Sequence, residues 1–223
     1  MTLANRTLVI MAKAPRVGSV KTRLAETLPP SAVTELYGCL LNDTIELAQA
    51  LDHVDVAVMC PSSDVEDLSR AMAQRVRIVP QTGQGLAAGL TCVFTHFTNR
   101  GYQRVIAFNS DSPHLPASIL ESAFDMLETC DLVVGPTHDG GYYLVGAKAA
   151  HPDLFCNDGM GTENALEALL ARALGLSVHL TDPFYDIDVA ADLCQLADEL
   201  QRMPGKAPRT AKWLSEWSRA RPE

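Results

Sequence analysis

The chain has 223 residues, 47% of them hydrophobic, and a formal net charge of −9. That apolar content excludes a disordered chain, and the acidic balance argues against nucleic acid or an anionic membrane as the main partner. No apolar run reaches the length of a membrane span.

In chain order, Thr7 to Lys13 (TLVIMAK) reads as a buried strand. Lys13 breaks this short apolar stretch and no cleavage-like segment follows, so a secretory signal is not expected. Ser31 to Leu51 has helical spacing, and DVAVMCP (55–61) is a second strand. A helix over 63–72, the strand VRIVP (76–80) and a helix over 85–98 follow. RVIAFNSD (104–111) is a fourth strand, and Pro116 suits the first turn of the next helix. DLVVGPT (131–137) and GYYLVGA (141–147) are strands joined by a turn. Thr162–Leu174 is a helix, LSVHLTD (176–182) a strand and Val189–Arg202 a helix. The last segment, 206–223, reads as a helix at about 208–219 docking through Trp213, Leu214 and Trp217.

The strands are continuous apolar runs and helices separate most of them. That pattern predicts an α/β fold with a mainly parallel sheet covered on both faces. No linker divides residues 1–223, so a single domain is expected. The six cysteines are scattered without a CxxC pair, which points to reduced thiols in a cytoplasmic protein and against a zinc site.

Ligands of such sheets sit beyond the carboxyl ends of the strands. The loop after the first strand, KAPRVGSVKTR, carries Lys13, Arg16, Lys21 and Arg23, and no carboxylate precedes Glu26. Gly18 suits close backbone approach, and lysine and arginine there suit phosphate oxygens. It is neither a Walker A loop nor GxGxxG. A solvated basic loop is the plainer alternative.

Asp111 follows the fourth strand, and Asp186 and Asp188 precede the helix at 189. Asp111 with one of the later pair could share a Mg²⁺-type cation, which binds one or two carboxylates plus substrate phosphates. The alternatives are a turn role for Asp111 and an N-cap role for Asp188, with Asp192 in the first turn. Asp139-Gly140-Gly141 reads as a hairpin turn, whose glycines could let the backbone approach a ligand with Asp139 facing an acceptor. No GxSxG motif is present, and no Cys/His dyad is suggested by motif.

Four segments together carry a resemblance. They are Lys-Ala-Pro-Arg-x-Gly-x-x-Lys-Thr-Arg-Leu at 13–24, Ser-Asp-Ser-Pro-x-Leu at 110–115, Gly-Pro-x-x-Asp-Gly-Gly-Tyr-Tyr-Leu-x-Gly at 135–146 and Asp-Ile-Asp-x-x-x-Asp-Leu at 186–193. In this order they resemble the bacterial DUF2064 family of glycosyltransferase-like proteins, within the nucleotide-diphospho-sugar transferase superfamily (GT-A fold). The resemblance implies a three-layer α/β/α sandwich, a metal (Mg²⁺ or Mn²⁺) held by Asp111 and Asp188, and Lys13, Arg16, Gly18, Lys21, Thr22 and Arg23 at the nucleotide phosphates. It implies catalytic roles for Asp111, Asp139 and Lys21, and an acceptor loop at Gly140, Gly141 and Tyr142. Two departures stand out. Gly85 and Gly89 replace the Asp and Arg of an Asp-Leu-Gly-x-Arg pattern, and Met160 replaces a tryptophan before Gly161-Thr162. The segment 83–90, GQGLAAGL, instead resembles the Gly-Leu-x-x-Ala-Leu stretch of nucleotidyltransferases of the same fold, such as 2-phospholactate guanylyltransferase.

The expectation is therefore glycosyl transfer from a nucleotide-diphosphate sugar to a small-molecule acceptor. The first alternative is nucleotidyl transfer from an NTP to a phosphorylated small molecule with pyrophosphate release. The second is a nucleotide-binding module without chemistry.

Overall fold

A computed structural model describes residues 5–72, 75–156 and 160–220. Seven strands form one sheet: β1 (Arg6–Met11), β2 (Val54–Cys60), β3 (Arg77–Pro80), β4 (Arg104–Phe108), β5 (Leu132–Pro136), β6 (Tyr142–Ala147) and β7 (Val178–Leu180). Their order is β3-β2-β1-β4-β6-β5-β7. β6 runs antiparallel to both β4 and β5, and every other pairing is parallel. The helices are α1 (Pro30–Gln49), α2 (Val65–Met72), α3 (Gly85–Thr98), α4 (Ala117–Met126), α5 (Ala165–Arg172), α6 (Ala190–Arg202) and α7 (Pro208–Ala220). This is the expected α/β sandwich. No helix among the described residues is long and apolar enough to cross a membrane.

Alternation along β1 divides the core. Leu8 and Ile10 pack on one face with Tyr37, Leu41 and Ile45 of α1 and with Leu120 and Phe124 of α4. Val9, between them, faces Leu90, Val93, Phe94 and Phe97 of α3. Each such fully buried side chain contributes about 1.5–3 kcal/mol of transfer free energy. The other flank of α1, through Leu36 and Leu40, packs on Leu193, Leu196 and Leu200 of α6 and Leu214 of α7. Asp43 of α1, with its carboxylate fully buried, fixes α7. It accepts the Thr210 backbone N–H and hydroxyl at 2.8 Å each and pairs with Arg209 at 3.1 Å.

Two features of this topology position a site. β1 is followed by β2 on one side and has β4 on the other, so a crevice opens between β1 and β4 at their carboxyl ends. Because β6 is reversed, its amino end and the β5–β6 turn lie at that same edge. The loops after β1, β4, β5 and β7 therefore converge there.

Candidate active site

A cleft of about 1040 Å³ occupies this edge, lined by Met11, Leu86, Leu90, Asp111, Asp139, Tyr142, Glu163, Asp186 and Asp188 among others. Of the cationic loop, only Arg23 lines it directly.

The carboxylates arrive from two loops. Ligand oxygens of Asp111, Asp186 and Asp188 lie within 4.8 Å of one another. The turn after β4 is held by other groups: Asn109 Nδ2 donates to Ser112 Oγ at 2.9 Å, and Ser112 Oγ donates to the Tyr185 carbonyl at 3.4 Å. Asp111 is thus not spent on its turn, and its buried Oδ1 has no hydrogen-bond partner. Nor does Asp188 cap α6. Asp192 accepts the backbone N–H groups of Asp188 and Val189 at 2.8 and 2.7 Å, which leaves the Asp188 carboxylate for the cleft. The turn and N-cap alternatives therefore fall to Ser112 and Asp192. The sequence singled out Asp188 as the partner of Asp111; Asp186 stands beside both.

Lys21 lies in the middle of this group. Its ammonium pairs with Asp111 Oδ2 and, at 2.7 Å, with Asp188 Oδ1, and the side chain is only 8% exposed. Burial alone would lower its pKa, but Asp111, Asp188 and Asp186 together push it well above the usual lysine value. Arg23 reaches Asp188 Oδ2 at 3.3 Å from a mostly exposed position. Two cations, Lys21 and the mostly exposed Arg23, face three carboxylates. Burial first, and then the charge of Asp111, lift Asp186 to about 7, whereas Lys21 and Arg23 outweigh the burial of Asp188 and hold it below the ordinary range. An all-oxygen donor set with excess negative charge and an orphaned buried oxygen fits a hard divalent cation.

The rest of the cationic loop divides. Arg16 was expected at the phosphates but is turned elsewhere: its guanidinium pairs with Asp64 at 2.6 Å and Asp67 at 2.7 Å, at the start of α2. Asp64 also accepts the Ala14 N–H at 2.9 Å, so this pair fixes the outer limb of the loop. Lys13 is exposed, and its backbone N–H donates to the Tyr37 hydroxyl at 3.1 Å. Gly18 has φ +77°, the left-handed turn that its lack of a side chain allows, and Thr22 is exposed.

The β5–β6 turn forms the opposite wall. Asp139 Oδ1 accepts the Thr137 hydroxyl at 2.5 Å and the Gly141 N–H at 3.3 Å, so one oxygen is used inside the turn. Gly140 has φ +86°, its carbonyl accepts the Leu166 N–H at 3.0 Å, and a side chain there would run into the Glu163 backbone. The tyrosine hydroxyl of Tyr142 lies 3.3 Å from Met160 Sδ. At Gly89 an added Cβ would come within 2.6 Å of Gln81 Oε1 and 2.7 Å of Met11 Cε. Glycine there lets α3 approach β1, and Leu86 and Leu90 then form an apolar cleft wall. Sequence reasoning passed over two participants, Glu163 and Tyr37. Only the carboxylate residue directly after Gly161-Thr162 could have signalled the first; the second sits inside an ordinary helical apolar pattern.

Comparison with known proteins agrees with this architecture. The family model described as "Uncharacterized protein conserved in bacteria (DUF2064)" matches residues 44–162. A 2-phospho-L-lactate guanylyltransferase of Methanothermobacter thermautotrophicus is 30% identical over 185 residues, 81% of this chain and 80% of that protein. A phosphoenolpyruvate guanylyltransferase of Sphaerobacter thermophilus is 28% identical over 196 residues, 86% of this chain and 93% of its own length. A structure from Desulfovibrio desulfuricans G20, described as a nucleotide-diphospho-sugar transferase, superposes with a TM-score of 0.87 at 24% identity, covering 96% of this chain and 95% of that one. That last likeness speaks for the fold.

Proposed function

The chain belongs to the DUF2064 family, and from that premise we propose that it is a nucleotidyltransferase, joining the nucleotidyl group of an NTP, GTP first, to a small phosphorylated carboxylic acid. The observation that carries this reading is its similarity over four-fifths of its length to a protein that guanylylates 2-phospho-L-lactate. The guanylyltransferase-like segment at Gly85–Leu90, which forms a cleft wall, adds to it. The order of the expectations thereby reverses. Glycosyl transfer ranks second, because the relatives matched by sequence are guanylyltransferases and the sugar-transferase likeness concerns the fold.

In this reading Asp111 and Asp188, with Asp186 beside them, hold a divalent cation. Such an ion, when bound, neutralises phosphate charge and makes the α-phosphorus a better electrophile. Lys21 and Arg23, with Lys13 at the loop's entrance, supply the remaining positive charge for the triphosphate. Gly18 and Thr22 shape that loop. A phosphate oxygen of the acceptor bonds to the α-phosphorus, the bond from that phosphorus to the bridging oxygen breaks, and pyrophosphate leaves with the electron pair. The nucleophile is already an anion, so no general base is required. Asp139 is then an orienting group on the acceptor side, with Gly140, Gly141 and Tyr142, rather than a proton acceptor.

The test is pyrophosphate release from each of the four NTPs with Mg²⁺ or Mn²⁺, with 2-phospholactate or phosphoenolpyruvate as acceptor. Release that needs both substrates is the expected result. Nucleoside diphosphate release from a nucleotide sugar, without pyrophosphate from any NTP, would return the assignment to glycosyl transfer. Nucleotide binding without any product would leave a binding module.

A further inference from the structure

Lys21 is an unusual neighbour for a cation site, because it already fills it. Its ammonium touches Asp111 and Asp188 together, and its side chain is largely buried. Its backbone has φ +47°, in the left-handed region that a lysine seldom adopts. Such a conformation persists where surrounding structure over-determines it. Here the surroundings are visible on both sides. Arg16 is clamped by Asp64 and Asp67, and Leu24 is fully buried against α1 and α6. Between these anchors Lys21 is delivered to the carboxylates, at the expense of its local backbone preference.

We infer that Lys21 is the resident counter-ion of the Asp111–Asp186–Asp188 group, and that a divalent cation enters only as the Lys21 ammonium leaves these carboxylates for the phosphates of an incoming nucleotide. The inference rests on the nucleotide reading above and deepens it. A lysine ammonium and a divalent ion cannot share the same oxygens without strong repulsion at this separation. The displaced ammonium needs an anion, and a triphosphate supplies one. Its flexible four-carbon stem can swing while Arg16 and Leu24 stay in place. Metal and nucleotide then favour each other's binding, and by linkage the effect is reciprocal. The protein without nucleotide holds divalent ions poorly, because Lys21 stays paired with Asp111 and Asp188 until substrate arrives.

The experiment is Mn²⁺ binding to nucleotide-free protein, read from the loss of the free-ion electron paramagnetic resonance signal. Lys21→Gln removes the competing charge and should bind Mn²⁺ at least about tenfold more tightly than the unaltered chain. Adding Asp111→Asn to it should abolish the gain. Lys21→Arg keeps the charge, so it places no greater burden on folding than the unaltered chain carries; it should bind Mn²⁺ as weakly as the unaltered chain. If Lys21→Gln gains nothing while Asp111→Asn still removes Mn²⁺ binding, the metal site stands and the counter-ion role is wrong. Tight binding by Lys21→Arg would overturn it equally. If no variant binds Mn²⁺, with or without GTP, the metal reading itself fails and takes this inference with it.

Discussion

The Tyr37 hydroxyl lies 3.1 Å from Ser110 Oγ, and this buried bond ties the middle of α1 to the residue before Asp111. The same oxygen accepts the Lys13 backbone N–H at 3.1 Å, so one side chain registers the cationic loop against the acidic one. Tyr37→Phe strands both partners. It should cost about 1–3 kcal/mol of stability in urea denaturation. Activity should fall further than stability explains, through a looser Asp111. Unchanged kinetics at reduced stability would assign Tyr37 to packing alone.

Asp111→Asn removes the most buried of the three carboxylates and the one with an orphaned oxygen. Metal-dependent turnover should drop by at least about a hundredfold, the scale on which single electrostatic groups act in active sites. Steady-state rates with saturating Mn²⁺ measure it, and an Asp111→Asn protein with full activity would remove this residue from the site.

The pH dependence follows from Asp186, whose pKa rises from 3.8 to about 7 because of burial and then the nearby Asp111 charge. A raised carboxylate binds its proton more tightly in the folded chain than in the unfolded one. Its contribution is therefore full below pH 3.8 and lost as pH climbs to about 7. In metal-free buffer, the stability difference between the unaltered chain and Asp186→Asn should shift against the unaltered chain across that window. Urea midpoints at a series of pH values give the slope directly, and parallel curves would mean that Asp186 titrates normally.

Two glycines separate backbone strain from steric closure. Gly140 and Gly175 have φ +86° and +91°, but an added Cβ meets the Glu163 backbone at the first and nothing within 4 Å at the second. Gly175→Ala should cost about 1–2 kcal/mol, the left-handed penalty alone. Gly140→Ala should cost more, and should also impair turnover by pushing the β5–β6 turn away from the segment before α5. Equal losses in thermal unfolding, with equal activity, would count against a role for that contact.

Much of this was legible in the chain itself. Runs such as Leu8–Ile10 and Val105–Phe108 are buried on both faces, so apolar continuity marked them as strands. Legibility failed where burial is partial. β7 shrinks to Val178–Leu180 because it is a half-exposed edge strand. The helix expected from Thr162 begins at Ala165, because Thr162 Oγ1 accepts the Asn164 N–H and holds a turn there. The segment expected as one helix over 63–72 opens with a tight turn at Ser62–Asp64, where Asp64 serves Arg16 and Ala14. In the site, position after a strand identified Asp111, and position before a helix identified Asp186 and Asp188. Which cation meets which carboxylate was not readable. Arg16 and Asp64 are 48 residues apart, Lys21 and Asp188 are 167, and only the sheet order brings each pair together.

The Asp43 clasp on α7 makes two distant parts of the chain depend on each other. Asp43 lies in the first helix, yet the groups that satisfy its buried carboxylate, Arg209 and Thr210, lie 166 and 167 residues further along the chain. Without that segment the Asp43 carboxylate would lose the groups that compensate its burial, which is costly for a charge held out of water. The closing helix is thus a condition of order in the opening one: cutting the chain before Arg209 should cost stability in α1 itself, and not only the contacts of α7.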